Sequence, residues 1–142
     1  IRDSSDAAWN SSTLAGGLSW VCQDSIGTHI FQGTENRRYI ASALVAEALA
    51  LRTGLSKAVS SGIKDMICFS DSKSLIDLIT GNKSVISLRG ILHDLGVLSK
   101  SFNSISFQFI SRVCNVQADS LAKNSLFQYS NNLSEIDNNV LF

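Results

Sequence analysis

The sequence predicts a single α/β domain in which helices pack against a layer of strands. Three observations lead to this prediction: short strand-like runs at the start, a change to helical spacing after Arg37, and strands that alternate with helices from there on. The 142 residues suit one ordinary domain. Hydrophobic residues make up 44% and charged residues 17%, so the chain can build a core and has too little charge for a disordered polyampholyte.

The opening of the chain predicts a three-stranded meander. Residues 6–9 close a first strand, and the polar, turn-rich segment 10–16 follows it. Residues 17–24 and 29–33 are short apolar-rich runs. The Gly-containing loop between these two runs is typical of a hairpin.

After Arg37 the hydrophobic spacing becomes helical. Residues 38–55 are rich in Ala and Leu, and we expect a helix there that ends near Gly54. The apolar positions that share one stripe of this helix are Ile40, Leu44, Leu51 and Leu55.

Two more strands and three more helices complete the predicted order. The apolar run 66–69 is typical of a strand buried on both faces, and residues 105–110 alternate as a strand does. Helices connect these later strands, so we expect them to be parallel. The tail 128–142, rich in Asn and Ser, is expected to be flexible, which leaves residues 1–127 as the domain. The further helices are predicted over residues 72–80, 86–98 and 118–127.

The charge balance excludes strongly basic nucleic-acid-binding modules. Lys and Arg number 12 and so do Asp and Glu, which gives a formal net charge of zero, whereas such modules bind through many phosphate contacts. An enzyme of nucleic acids that carries its own acidic site is compatible with this balance. The chain has no apolar stretch of the roughly 18 residues that a membrane span needs. It starts at Ile1 rather than Met, and we expect a monomeric domain of a longer polyprotein or multidomain chain, without membrane contact.

Cysteine and histidine usage argues against structural cross-links. Cys22, Cys68 and Cys114 are odd in number, far apart and without a C-x-x-C pair, which disfavours a disulfide framework and a structural zinc site. Cys22 and Cys68 lie in apolar runs and are expected to be buried thiols, which fits a reducing intracellular compartment, either nucleus or cytoplasm. His29 and His93 are too few for a histidine-based metal site.

Four carboxylates lie inside an apolar element or at its end. Glu47 lies on the stripe of the first predicted helix, where an ionised group needs compensation unless its head reaches water at the stripe's edge. Asp71 follows a buried strand, a position that suits a helix N-cap or a ligand site at the end of a strand. Asp119, in the first turn of the last predicted helix, also complements the helix dipole. Asp6, which Asp3 closely precedes, would by itself be a solvated turn acid.

Together these four acids predict a metal site. If the sheet gathers them, their like charges repel and shift each other's titration. Divalent cations relieve that repulsion, and carboxylate oxygens are ligands for Mg²⁺ or Mn²⁺. Two such ions roughly 3.5–4 Å apart are used for phosphodiester displacement, where one activates water and the other stabilises the leaving oxygen.

Five segments of the chain, in this order, resemble the ribonuclease H family. Within it they are most similar to the ribonuclease-H-like domains of plant non-LTR retroelement reverse transcriptases. The resemblance covers residues 6–127, nearly the whole chain. The segments are D-A-A-W at 6–9, G-x-x-W-V-x-x-D-x-x-G at 17–27, A-E-A-L-A-L at 46–51, F-S-D-S at 69–72 and R-x-x-N-x-x-A-D-x-L-A-K at 112–123.

The resemblance implies a fold and an activity. The fold is a five-stranded mixed sheet, with three antiparallel strands followed by two parallel strands, flanked by helices. The activity is endonucleolytic cutting of the RNA strand of RNA–DNA hybrids, which leaves a 3′-hydroxyl and a 5′-phosphate. Asp6, Glu47, Asp71 and Asp119 match the family's D-E-D-D site for two Mg²⁺ or Mn²⁺ ions. Glu47 would also lie near the RNA 2′-hydroxyl, the group that separates RNA from DNA.

The chain departs from the family in two places. Many members carry a histidine in the loop before the last helix, and this chain has none there; Arg112 is the nearest polar candidate and would contact phosphate. The basic handle that helps some members grip the hybrid is also missing, since residues 80–88 hold only Lys83. Both departures predict weaker binding or slower turnover. With Arg112, the candidate substrate-binding residues are Ser72 and Asn115.

A second function is compatible with the same residues. A domesticated relic would keep the fold and the acids and serve as a nucleic-acid-binding or interaction module, because fold alone does not guarantee activity. The complete set of four acids favours the enzyme. The zero net charge and the two departures favour the relic.

Overall fold

The computed structural model describes residues 1–81 and 83–140, with the backbone alone for 131–140. The elements of these residues are β1 (Arg2–Trp9), β2 (Gly16–Gln23), β3 (His29–Arg37), α1 (Ala43–Ser60), β4 (Asp65–Ser70), α2 (Lys73–Thr80), α3 (Arg89–Ser99), β5 (Ser104–Phe109) and α4 (Val116–Val140), with 3₁₀ turns at Ile86–Leu88 and Arg112–Asn115. The five strands form a mixed sheet of order β3-β2-β1-β4-β5. β1 pairs with β2, and β2 with β3, antiparallel, whereas β1–β4 and β4–β5 are parallel, which confirms the predicted sheet.

Helices cover both faces of the sheet. Alternate residues of β2 point to opposite faces, so Leu18 and Trp20 pack in one apolar cluster with residues of α1. Gly17 and Ser19 face α4: a Cβ on Gly17 would collide with the backbone of α4, and the Ser19 hydroxyl donates to the Ala118 carbonyl. The sheet is therefore the middle layer between α1 and α4.

β1 begins at Arg2, four residues before the strand that the apolar pattern predicts. Residues 2–6 are polar and carry no strand pattern of their own. They form a strand because β1 is the central strand and bonds to β2 along its whole length and to β4 at its start. Its pairing with β4 ends at Ser4 and Phe69, whereas its pairing with β2 continues to Trp9. β1 and β4 therefore separate towards their carboxyl ends.

Gly54 lies inside α1 rather than at its end, which makes the predicted stop at this residue wrong. A Cβ at Gly54 would lie 2.8 Å from Asp3 Oδ2 and 3.1 Å from Trp20 Cβ, so the glycine allows α1 to approach the sheet closely. The helix begins at Ala43 rather than at residue 38, because the Ser42 hydroxyl accepts a hydrogen bond from the Val45 amide (3.1 Å) and caps it.

The later helices agree with the predicted order and differ at their ends. α2 ends before Gly81, as expected, and the Ser72 hydroxyl caps its start. α4 continues to Val140, so the prediction that this helix ends at residue 127 is wrong. Residues 128–140 contain neither Gly nor Pro to end it. The flexibility of the tail stays a prediction, and residues 141–142 lie outside the described part. Among the described helices, none combines the length and apolar character needed to cross a membrane.

Asp3 is a fully buried acid on the α1 side of the sheet. It lies between Cys22 of β2 and Cys68 of β4, both buried, as the sequence predicts for these thiols. Neither carboxyl oxygen has a hydrogen-bond partner in the described part of the chain. Burial raises the pKa of Asp3 from its ordinary value of 3.8 to about 7. The folded protein therefore holds a proton here that the unfolded chain releases above pH 4.

We expect Asp3→Asn to stabilise the protein at pH 8 and to have little effect at pH 4. Asp3 ionises with a pKa of 3.8 in the unfolded chain and of about 7 in the folded protein, so the folded protein loses stability relative to the unfolded chain as the pH rises through this range. The raised pKa corresponds to about 4 kcal/mol at pH 8. Urea unfolding at both pH values, in EDTA, measures the difference. Asp65→Asn, an exposed acid on β4, is the control, and an unchanged pH dependence in Asp3→Asn would contradict the assignment.

Candidate active site

Three of the predicted acids converge where β1 and β4 separate. Asp6 lies on β1 beyond its last pair with β4, Glu47 lies on α1, and Asp71 directly follows β4. Each offers one carboxyl oxygen, and these oxygens all lie within 4.8 Å of one another. The gap between the two parallel strands thus admits a carboxylate from the helix layer and another from the end of the neighbouring strand.

The three carboxyls are only partly satisfied by the protein. The side chain of Asp71 is 5% exposed, Asp6 is buried and Glu47 is half-buried. Asp6 Oδ1 accepts a hydrogen bond from the Ala7 amide at 2.8 Å. Within the described part of the chain, Asp6 Oδ2, Glu47 Oε2 and Asp71 Oδ2 are buried without a hydrogen-bond partner. Buried acceptors of this kind are costly unless a cation or a donor joins them.

The electrostatics of the group favour protonation or a bound cation. Burial, followed by the charge of Asp71, raises the pKa of Asp6 to about 7. Burial, followed by the charge of Asp6, raises the pKa of Glu47 to about 10. These carboxyls cannot all be ionised together at neutral pH without compensation. Hard oxygen donors at this spacing fit Mg²⁺ or Mn²⁺.

Asp119 lies beside this group rather than within it. Its carboxylate, in the first turn of α4, is 2.9 Å from Lys123 Nζ and is 21% exposed. A side-chain hydrogen-bonding interaction with Asp119 is the smallest of the causes that raise the pKa of Asp6, after burial and Asp71. The structure therefore brings the fourth predicted acid next to Asp6. Lys123, which holds it, was not singled out from the sequence, although the i,i+4 spacing of the pair is a signal for it.

Arg112 is at the rim of the acidic group. Its Nε lies 3.7 Å from Asp71 Oδ2, and 79% of its side chain is exposed. It lines an open cavity of about 310 Å³ together with Glu47, Asp71 and Ser72. An exposed guanidinium beside the acids can bind a phosphate oxygen without a change in the fold.

The other two candidate substrate-binding residues have structural roles. The Ser72 hydroxyl is the N-cap of α2, accepting from the Leu75 amide at 3.4 Å, although it also lines the cavity. Asn115 is buried, and its Nδ2 donates to the Ser5 carbonyl at 3.0 Å. This bond ties the start of α4 to β1 one residue before Asp6, so Asn115 positions the strand rather than facing the cavity that Arg112 lines.

Known proteins share this architecture. Of the solved structures, the chain is similar to RNase H1 from the halophilic archaeon Halobacterium salinarum NRC-1, with 24% identity over 90% of this chain and 98% of that one and a TM-score of 0.84. It is also similar to the N-terminal RNase H domain of a Mycobacterium tuberculosis protein, with 21% identity, 94% and 99% coverage and a TM-score of 0.84. A third similar structure is LC11-RNase H1 in complex with an RNA/DNA hybrid, with 17% identity, 90% and 97% coverage and a TM-score of 0.82. At these identities the likeness shows the fold.

The family assignment comes from the sequence match. No curated protein matches the chain. A family model described as reverse transcriptase-like matches residues 4–125, a span that includes all four acids, β2 to β5 and all but the first two residues of β1. The chain therefore belongs to the reverse transcriptase-like family, and its domain has the ribonuclease H fold.

Proposed function

We propose that this domain is a divalent-metal-dependent endonuclease that cuts the RNA strand of RNA–DNA hybrids. The observation that carries the proposal is the convergence of Asp6, Glu47 and Asp71, each with a buried oxygen that lacks a hydrogen-bond partner in the described structure. The fold is shared with RNases H, one of which is described in complex with an RNA/DNA hybrid. That likeness supports the substrate class.

The residues present fit a divalent metal. Asp6, Glu47 and Asp71 would hold one Mg²⁺ or Mn²⁺ ion, because one carboxyl oxygen of each lies within 4.8 Å of those of the other two. Asp119, beside Asp6, would complete the binding of a second ion. When bound, such ions activate water and stabilise the charge that develops on the phosphate.

The chain's own residues would bind and orient the RNA strand. Arg112, at the rim, would hold a non-bridging phosphate oxygen through a charge-assisted hydrogen bond. Glu47 would accept a hydrogen bond from the 2′-hydroxyl, which DNA lacks. Lys123 keeps Asp119 in place through its 2.9 Å ion pair.

One observation favours the alternative of a binding module with weak or no catalysis. Among the residues that line the described cavity beside the acids, there is no histidine. An imidazole near neutral pH is the usual side chain for moving a proton. The cleft offers a guanidinium instead, which stays charged and does not transfer protons.

We expect Asp71→Asn to abolish Mn²⁺-dependent cutting of a labelled RNA–DNA hybrid while the protein stays folded. The substitution keeps the shape of the side chain and removes the charge that would hold the metal. Gel analysis of the cut hybrid and circular dichroism of the variant are the measurements. Asp77→Asn, an exposed acid on α2, should cut like the unaltered protein. If the unaltered protein binds the hybrid but leaves it intact with either metal, the nuclease proposal is wrong and the hypothesis of a binding module is supported.

We expect Glu47→Gln to leave the metal-free protein equally stable or more stable. With a pKa of about 10, Glu47 is protonated at pH 7 without metal, and glutamine imitates that form without the repulsion that grows as the pH rises. Mn²⁺ should raise the Tm of the unaltered protein. At a Mn²⁺ concentration of one hundred times its Kd, binding adds about 2.7 kcal/mol to the free energy of unfolding. The rise should shrink in the variant.

The matched control for this variant is Glu35→Gln, since Glu35 is a partly exposed glutamate on β3 paired with Arg37. It should keep the full response to Mn²⁺. A large loss of metal-free stability in Glu47→Gln would show instead that Glu47 is a structural residue.

We expect Arg112→Ala to raise the KM for the hybrid about tenfold and to change kcat less, because a single charge-assisted hydrogen bond to phosphate is removed. Because the side chain is exposed, its removal should leave the protein folded, and thermal denaturation checks this. Arg112→Lys should recover part of the binding. Arg89→Ala, at an exposed arginine of α3, is the control. An unchanged KM in Arg112→Ala would remove Arg112 from the site.

A further inference from the structure

A second polar cavity lies on the α4 side of the sheet, beside the first turn of α4. It has a volume of about 220 Å³ and is lined by residues from the start of β1, the end of β2 and the segment that leads into α4. None of the four acids lines it. The polar and charged side chains of the lining include Arg2, Ser4, Gln23, Asn115 and Gln117.

Arg2 brings a positive charge to this cavity. Its guanidinium carbon lies 4.5 Å from the centre of the Phe69 ring. No carboxylate of the described residues lies within ion-pair distance of it, and its Nε is buried without a hydrogen-bond partner. The adjacent acid, Asp3, leaves the strand on the opposite face, against Gly54. A half-buried guanidinium with an unused donor calls for an anionic acceptor.

Asn115 supplies a second unsatisfied group. Only 2% of this residue is exposed. Its Nδ2 is fixed by the Ser5 carbonyl, and its Oδ1 has no partner within the part of the chain described. Arg2 and Asn115 thus both line the cavity, and each has a buried polar atom without a hydrogen-bond partner among the described residues.

The rest of the lining carries no charge: Ser4, Gln23 and Gln117 are polar, and Val21, Cys114 and Ala118 complete it. Ser4 adds a hydroxyl, and Gln23 and Gln117 add carboxamides that lie 3.5 Å apart. The nearest acid on α4, Asp119, is paired with Lys123. Single water molecules would satisfy Asn115, but they would leave Arg2 without an anionic partner, and one water fills only about 30 Å³.

We propose that this cavity binds a phosphate group, either a backbone phosphate of a nucleic-acid strand or a free phosphate ion. Phosphate oxygens accept from Arg2, Ser4 and the carboxamides, and a protonated phosphate oxygen or a water that accompanies it donates to Asn115. The site does not depend on the proposed cutting activity, because no acid of the metal group takes part in it.

Inorganic phosphate is the probe for the first experiment. Nitrogen-15-labelled protein in EDTA is titrated with phosphate against chloride at equal ionic strength. Saturable shifts are expected at Arg2 Nε–Hε and at the Gln23 and Gln117 amides, with a Kd of about 1 mM or tighter. Arg2→Gln should weaken phosphate binding at least about tenfold, and Arg2→Lys should recover part of the lost affinity.

Two further variants keep the test valid if Arg2→Gln disturbs the strand. Gln117 is exposed, so Gln117→Glu should not disturb the fold. It places a negative charge in the cavity and should also weaken phosphate binding. Gln128→Glu, exposed further along α4, should not. If no saturable shift occurs at these residues, or if the Arg2 and Gln117 variants bind phosphate like the unaltered protein, the proposal is wrong.

Binding of an RNA–DNA hybrid in EDTA separates the two sources of phosphate. If the cavity takes a backbone phosphate, Arg2→Gln weakens hybrid binding and lowers the slope of log K against log salt by about 0.7–0.9, the contribution of one phosphate contact. If Arg2→Gln leaves hybrid binding unchanged while it abolishes binding of free phosphate, the cavity is a site for the free ion. Cutting is not measured, so failure of the nuclease proposal would leave this result unaffected.

Discussion

The central strand carries carboxylates on both of its faces, and the rest of the fold is arranged around the cost of burying them. Asp3 and Asp6 leave β1 on opposite sides. On one side, α1 offers Gly54, which leaves room for the Asp3 carboxyl at close range. On the other, β4 stops pairing with β1 before Asp6 is reached, which opens the gap in which the acids meet.

The two acids of β1 show that a raised pKa does not by itself identify a site. Burial is the largest cause of the shift in both, and it brings the pKa of each to about 7. Asp6 has two other acids within ligand distance, whereas Asp3 lies between the neutral thiols of Cys22 and Cys68. A cation at Asp6 would be shared by three carboxylates, and none of these reaches Asp3. The grouping of oxygens, rather than titration, separates a candidate metal site from a buried acid that only costs stability.

The sequence predicted those features that depend on local pattern. The stripe that contains Glu47 and the apolar run before Asp71 predicted that these acids belong to buried elements, and the structure places both in the acidic group. The resemblance to ribonuclease H predicted a five-stranded mixed sheet with three antiparallel strands followed by two parallel strands, because five short motifs together constrain the topology.

The features that were not predicted depend on contacts between distant segments. Gly54 is indistinguishable in sequence from a helix stop, and only its contact with Asp3 explains why α1 continues. The strand over residues 2–6 forms through pairing with β2 and β4 and has no pattern of its own. The position of Asp119 beside the acidic group, held by Lys123, depends on how α4 packs against the sheet.

A domain without net charge can still bind a polyanion if its charges are unevenly placed. The structure concentrates acids in the gap between β1 and β4, where divalent cations would neutralise them. Arg112 lies at the rim of that gap, and Arg2 lies in a separate cavity on the α4 side. If both arginines contact phosphates, attraction comes from a few placed guanidinium groups and bound metal rather than from a basic surface. Such binding would depend on salt only through those few contacts, which agrees with a chain that lacks a basic handle.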